Sequence, residues 1–469
     1  MFSKPLSGAA EAGVARIPAR VLLAYGPPVL GAASVFFFVQ FYFLKFATDV
    51  LGIAPALVGL LFAIGRLWDA VTDPVVGSWS DRTQLVLGRR RPWMLGAVPA
   101  IALSFVMLYA PPAGLPQGAL AAWAALGLFA FYAAFTAWNV PHQALGAELT
   151  TDHHERSRVF GVRHASFTLG MMLAFGGIQF VNNAPDPRAA AAGLATVAVL
   201  AVSLVIAIPP LLLRERDDYR QLAPSSPLAA LRDVLRNPHA RLLLFVQFIE
   251  MSGAGVLGVL SPFVLEYVIK RPDLIALLPA AFIVCSVLSI PVWLHLSRRF
   301  GKRNVWIGAM LLFGSAFGAT AFVPEGGVLP LFLLLVLAGF AGGCGGAVGP
   351  SILADVIDVD EHASGERKEG AYSAAWGFAI KAGNALVILL SGVVLQMVGF
   401  EPNVEQSAEV DLALRALYGG LPFVMFVTGA FLFRRFRLDA VEHGRIRQEL
   451  DARAAARQRE GVASSDDES

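Results

Sequence analysis

Arg66, Asp69 and Asp73 place one cation and two carboxylates inside an apolar run that extends from about Ala54 to about Ser78. In a helix, Arg66 and Asp69 are three residues apart and Asp69 and Asp73 four, so all three share one face. Thr72 adds a hydroxyl beside them. Such a pair offers up to four hard carboxylate oxygens, which suits Na⁺, and it also suits a proton if one carboxylate raises the other's proton affinity. Arg66 could instead neutralise Asp69 as a fixed pair, but that would leave Asp73 without a partner. Lys381 lies roughly 11 residues into another apolar run, at a similar depth, and is the natural partner for the second carboxylate when no cation is bound. Glu250, roughly 9 residues into a third run, could line a cavity or reach water at one membrane face.

These groups have to be positioned by membrane helices. The chain has 469 residues, 56% hydrophobic and 15% charged, with a mean hydropathy of +0.62. Soluble domains carry about 25% charged residues. Asp69 lies roughly 12 residues before the next polar loop, about 18 Å deep and close to mid-bilayer. A charge there costs on the order of 3 kcal/mol. Apolar stretches fall near 22–47, 54–78, 93–111, 118–147, 162–182, 190–213, 241–269, 274–296, 305–323, 328–353, 370–399 and 413–433. The expected fold is all-α and polytopic, with about twelve transmembrane helices in two six-helix bundles, 22–213 and 241–434. The expected polar parts are tails at 1–21 and 435–469 and a central loop at 214–240. Residues 1–20 are polar and small, and the first apolar run is too long for a signal-peptide core, so it reads as a retained helix. The C-terminal tail reads as a helix that frays into disorder.

Basic residues sit in alternate loops: Arg82, Arg89, Arg90 and Arg91; Arg156, Arg158 and Arg163; Arg298, Arg299, Lys302 and Arg303; Arg434, Arg435 and Arg437. The positive-inside rule then puts both termini in the cytoplasm. Basic turns at Gly88–Trp93 and Gly301–Trp306 occupy the same place in each half, as two related repeats around a midplane site would require; any inside loop could also become basic. The net charge of +2 is spread over short loops and gives no reason to expect nucleic acid as a partner. Cys285 and Cys344 read as free thiols. The glycines from Gly339 to Gly349 read as close helix packing. His142, His164 and His295 read as interfacial residues.

Several motifs resemble the major facilitator superfamily, and within it the glycoside–pentoside–hexuronide:cation symporters, whose prototype is melibiose permease. They are Arg66–Pro74, Gly88–Trp93, Trp138–Pro141, Asp355–Asp358, Lys381 and Gly399–Ser407. The resemblance implies a symporter in which a cation, commonly Na⁺ and otherwise H⁺ or Li⁺, travels with an organic solute. It implies a cation site at Asp69 and Asp73, with Thr72 where the prototype has an amide; Arg66, Lys381 and Glu250 are the charge-coupling candidates by residue type and depth. Glu148 and Asp355, beside Arg156 and Arg367, would form a cytoplasmic gate; solvated loop charges would look the same.

The substrate half departs from the resemblance. Ala33 and Ala134 stand where sugar-binding relatives carry carboxylates, and Gly346 stands where the prototype has an aromatic residue. Trp138 and Arg163 match, and Gln40, Thr136, Asn139 and Asn384 could read a different solute. A similar pattern marks the eukaryotic sodium-dependent lysophosphatidylcholine symporters. A sugar or glycoside is the default expectation and an amphiphile the alternative. Proton coupling and a solute sensor that does not transport remain further readings. No nucleophile or metal constellation points to an enzyme, and no cofactor beyond the coupling cation is expected. The partners are then a small solute, a cation and the lipid bilayer, in a bacterial inner-membrane protein that works as a monomer.

Overall fold

The computed structural model describes residues 17–149, 153–213, 232, 234–365, 368–438, 442–446, 448–450 and 452, with the side chains at 67, 70, 81, 147, 153, 154, 156, 157 and 369 set aside. Most of the expected central loop and tails lies outside these residues.

Every described long segment is helical. The helices are α1 (Pro27–Lys45), α2 (Pro55–Arg82), α3 (Arg91–Tyr109), α4 (Gln117–Glu148), α5 (His153–Asn182) and α6 (Pro187–Ile206). Then come α7 (Pro238–Ala254), α8 (Leu277–Phe300), α9 (Lys302–Thr320), α10 (Val328–Ser364), α11 (Glu369–Met397) and α12 (Leu421–Phe433). Short helices extend several of them: Ala19–Tyr25 precedes α1, Val256–Phe263 follows α7, and Ala408–Arg415 precedes α12. Among the described residues, eleven segments are long and apolar enough to cross a membrane. The remaining helix, α9, has 19 residues and opens on Lys302-Arg303-Asn304, which dilutes its apolar content.

Local chemistry sets the ends. Proline occupies the first turn of α1, α2, α3, α6 and α7, where its missing N–H has no helical partner to lose. Asp186 caps α6 and Asn237 caps α7. Helix α9 begins three residues before the expected span, because Gly301, at φ 80°, reverses the chain directly after α8. Gly88, at φ 106°, makes the matching reversal before α3.

Leu200, Leu204, Leu288, Phe322 and Phe431 are exposed, as side chains that face lipid should be. Backbones approach closely at glycines: a Cβ on Gly170 of α5 would lie 2.4 Å from Leu30 O of α1. The halves meet at the end opposite the basic turns. There a Cβ on Gly392 of α11 would lie 2.3 Å from Pro55 O of α2. Gln396 accepts from Ala56 N at 3.1 Å, and Gln179 of α5 donates to Pro272 O at 2.9 Å. At the basic end, described ion pairs stay inside one half: Arg89 and Arg90 with Glu148, and Lys302 with Asp355.

Candidate functional site

Helix α2 carries Asp69 and Asp73 one turn apart, on the side facing α4 and α11. Thr136 of α4 lies against both: its Oγ1 is 2.7 Å from Asp69 Oδ1 and 3.1 Å from Asp73 Oδ1. A single hydroxyl proton is therefore shared between two carboxylates, and the Thr136 lone pairs stay close to both. From the other half, Lys381 of α11 brings its ammonium to 2.8 Å from Asp69 Oδ2 and into contact with Asp73 Oδ2. The Asp69 side chain is only 5% exposed, whereas Asp73 is 34% and Lys381 25% exposed, so solvent reaches the site from the Asp73 side.

Arg66 is held differently. It donates to Gln40 of α1 and reaches Asp69 Oδ2 at 3.4 Å. Its guanidinium lies over the rings of Phe36 at 5.2 Å and Tyr132 at 5.0 Å. Tyr132 also donates to Gln40, at 3.4 Å. Arg66 is thus a buried fixture of the N-terminal half, and at this site it is Lys381 that comes from the other half. The oxygens of Asp69, Asp73 and Thr136 form a set of hard donors where the ammonium lies, and that set could hold Na⁺ in its place.

A family profile described as MFS/sugar transport protein matches residues 24–440. The chain belongs to that family. It is similar to an isoprimeverose transporter of Lactiplantibacillus pentosus, 26% identical over 87% of this chain and 86% of that protein. It is also similar to a sphingosine-1-phosphate transporter of Xenopus tropicalis, 25% identical over 86% of this chain and 83% of that protein. In fold it matches the crystal structure of a variant of the nucleoside transporter NupG, with a TM-score of 0.68 and 12% identity over 88% of this chain and 100% of that one.

In this membrane transporter the remaining expected site residues separate into groups. Thr72 donates to Asp69 O in its own helix at 3.2 Å, so it is Thr136 that touches both carboxylates. Glu250 is buried inside the C-terminal half, accepts from Trp306 Nε1 at 2.9 Å, and is not brought to Asp69. Trp138 does not line a cavity: it is fully buried, and its Nε1 donates to Ile206 O at 3.0 Å. His142 is fully buried, with its ring 4.4 Å from Tyr25 and 4.5 Å from Trp138. Arg163 of α5 donates to Asn139 Oδ1 of α4 at 3.2 Å. Asn384 is half-buried on α11, against Gly255 at the break after α7. Ala33 and Ala134 are buried, and Ala33 packs so tightly under Gly170 that a Cβ there would lie 2.7 Å from its own, leaving no room for a carboxylate.

Of the four expected gate residues, Arg156 and Arg367 lie outside the described side chains. Glu148 meets Arg89 and Arg90, the first at Nη2 and the second at 2.7 Å, and Asp355 meets Lys302 at 2.6 Å. The two clusters occupy corresponding places in each half: the basic residues just before α3 on the last turn of α4, and the first residue of α9 on α10.

Sequence reasoning missed a network at the closed end. Lys45, only 4% exposed, contacts Asp49 of its own half and lies 2.8 Å from Glu266 of the other. Tyr267 donates to Asp49 at 2.8 Å, and Asn403, in a left-handed conformation at φ 62°, donates to Asp49 O at 2.8 Å. The signal available was Asp49 four residues after Lys45 and Glu266 four residues before Lys270, each close to the end of an apolar run.

Proposed function

We propose that this protein is a secondary active transporter that couples a cation, Na⁺ first and H⁺ or Li⁺ otherwise, to symport of a small organic solute by alternating access. The observation that carries the reading is the crossing of Lys381 from one half to two mid-depth carboxylates of the other. A cation bound between Asp69, Asp73 and Thr136 takes the place of the ammonium, and freeing Lys381 loosens the tie between halves. Occupancy of the site thereby becomes linked to the motion that exposes it to one side or the other.

The protein acts as a monomer in a bacterial inner membrane with both termini in the cytoplasm, so the closed end faces outward. A sugar or glycoside is the default solute, supported by the family description and the isoprimeverose transporter. An amphiphile is the second reading, favoured by the likeness to a sphingosine-1-phosphate transporter and by the buried alanines at positions 33 and 134.

Thermal stability of the purified protein tests the coupling. A ligand at a hundredfold excess over Kd adds about 2.7 kcal/mol. Na⁺ should raise stability where K⁺ does not. Equal stability in both salts at every pH points away from Na⁺, and no response to pH either would overturn cation coupling altogether.

A further inference from the structure

The basic ends of the two bundles are built alike, with one difference. In the N-terminal half two arginines, Arg89 and Arg90, meet Glu148. In the C-terminal half one lysine, Lys302, meets Asp355 at 2.6 Å, and the second basic group comes from beyond the last membrane helix. It is His443, whose Nε2 lies 3.6 Å from Asp355 Oδ1 and 3.0 Å from Asp358 Oδ2. Asp355 and Asp358 are three residues apart on α10, so both carboxylates face one imidazole.

The segment that carries His443 is held at a second point. Residues 442–446 and 448–450 are helical, and Glu449 Oε2 lies 2.6 Å from Nε2 of His362, near the end of α10. The two pairs run in opposite senses: the segment supplies the histidine at one and the carboxylate at the other. Between them Ile446 is buried, and Leu450 packs against the core. A helix this short is marginal by itself. Partly exposed ion pairs are individually weak. With two apolar anchors, the charge on the two imidazoles decides how firmly the segment stays docked.

Histidine is the side chain whose charge changes between about pH 5 and 8. Protonated His443 faces two carboxylates and protonated His362 faces one, with Glu442 and Glu361 beside them in the chain. Lys302 on Asp355, and Arg445 at 3.9 Å from Glu449, act the other way, and the neighbouring Asp360 is engaged by Lys368 at 3.7 Å. The carboxylates outnumber the cations that face them. Each proton taken up therefore strengthens the contact, and docking in turn favours protonation. The contact is tightest at acid pH and weakens as the pH rises through the histidine range.

We propose that the C-terminal segment is a proton-operated clasp on the rim of the C-terminal half, closed by His443 on Asp355 and Asp358 and by Glu449 on His362. Closed, it ties itself to α10 and, through Asp355, to Lys302 of α9, at the end of the molecule where described ion pairs stay inside one half. Open, it leaves the Asp355 cluster without its second basic group. Acidity on this side braces the rim, and alkalinity frees it. The inference holds whichever solute and coupling ion the protein carries.

The test uses the full chain in lipid nanodiscs, with Cys285→Ser and Cys344→Ala, and a nitroxide attached through Gln448→Cys, an exposed position of the segment. The label is attached before the pH is changed, and its mobility is read at about pH 5.5 and about pH 8. In this parent the mobile fraction of the spectrum should rise several-fold at the higher pH. His443→Gln with His362→Gln should be mobile at both. His443→Arg with His362→Arg, which keeps both charges throughout, should be immobile at both. Thermal melting of the bundle reports that each variant is folded. A parent spectrum that does not change with pH, or a pH response that survives in the double glutamine variant, overturns the proposal and leaves the symport reading untouched.

Discussion

The Lys381 ammonium lies 2.8 Å from Asp69 Oδ2 and also contacts Asp73, a residue 308 positions away in the chain. The pair joins α11 of one half to α2 of the other at the level where the site opens to solvent. Breaking a buried charge pair by removing one partner leaves the other charge uncompensated, so the two residues have opposite consequences when changed.

Asp73→Asn removes one of the two carboxylates and keeps the shape. Na⁺-driven accumulation of solute in proteoliposomes should fall to background, and the purified protein should lose its Na⁺-dependent thermal shift. Na⁺-stimulated uptake at the wild-type rate would remove Asp73 from the cation site.

Lys381→Ala leaves Asp69 and Asp73 without their crossing partner. The expected variant has a stronger affinity for Na⁺ and a slow or uncoupled transport cycle, because the tie between empty halves is gone. Titration of the Na⁺ thermal shift against uptake separates the two effects. Unchanged uptake and affinity would make Lys381 a structural residue.

Thr136→Val is nearly isosteric and deletes only the hydroxyl shared by the two carboxylates. Losing a hydrogen bond to a charged group costs about 1.5 kcal/mol or more, so Na⁺ affinity should fall roughly tenfold. Thr72→Val should do much less, since Thr72 donates to its own helix. Equal effects from the two would contradict the assignment of Thr136 as the carboxylate partner.

The closed end has its own tie, in which Lys45 meets Glu266 across the halves and Tyr267 reaches Asp49. Glu266→Gln with Tyr267→Phe should loosen it. A cysteine introduced at Ala56, in a background with Cys285→Ser and Cys344→Ala, should then react several-fold faster with a membrane-impermeant maleimide. A rate no different from that of the parent would show that this network does not hold the end shut.

The sequence alone determined a good deal about this protein. Apolar run lengths produced the helices because a membrane span must satisfy its own backbone hydrogen bonds, which makes length and hydropathy sufficient signals. Arg66, Asp69 and Asp73 stood out because charges are costly at that depth, and helical spacing put them on one face. Lys381 stood out for the same reason. Tertiary structure alone decided which groups meet. Thr72 is beside the acids in sequence, yet Thr136 touches both, because packing of α4 against α2 fixes which side chain faces them. Trp138 and His142 looked available from their types but turned inward against Ile206 and Tyr25, since rotation of a nearly uniform apolar helix is set by its neighbours rather than by its own periodicity. Whether a cation has a partner depends on distances between helices, and those exist only once the bundle is folded.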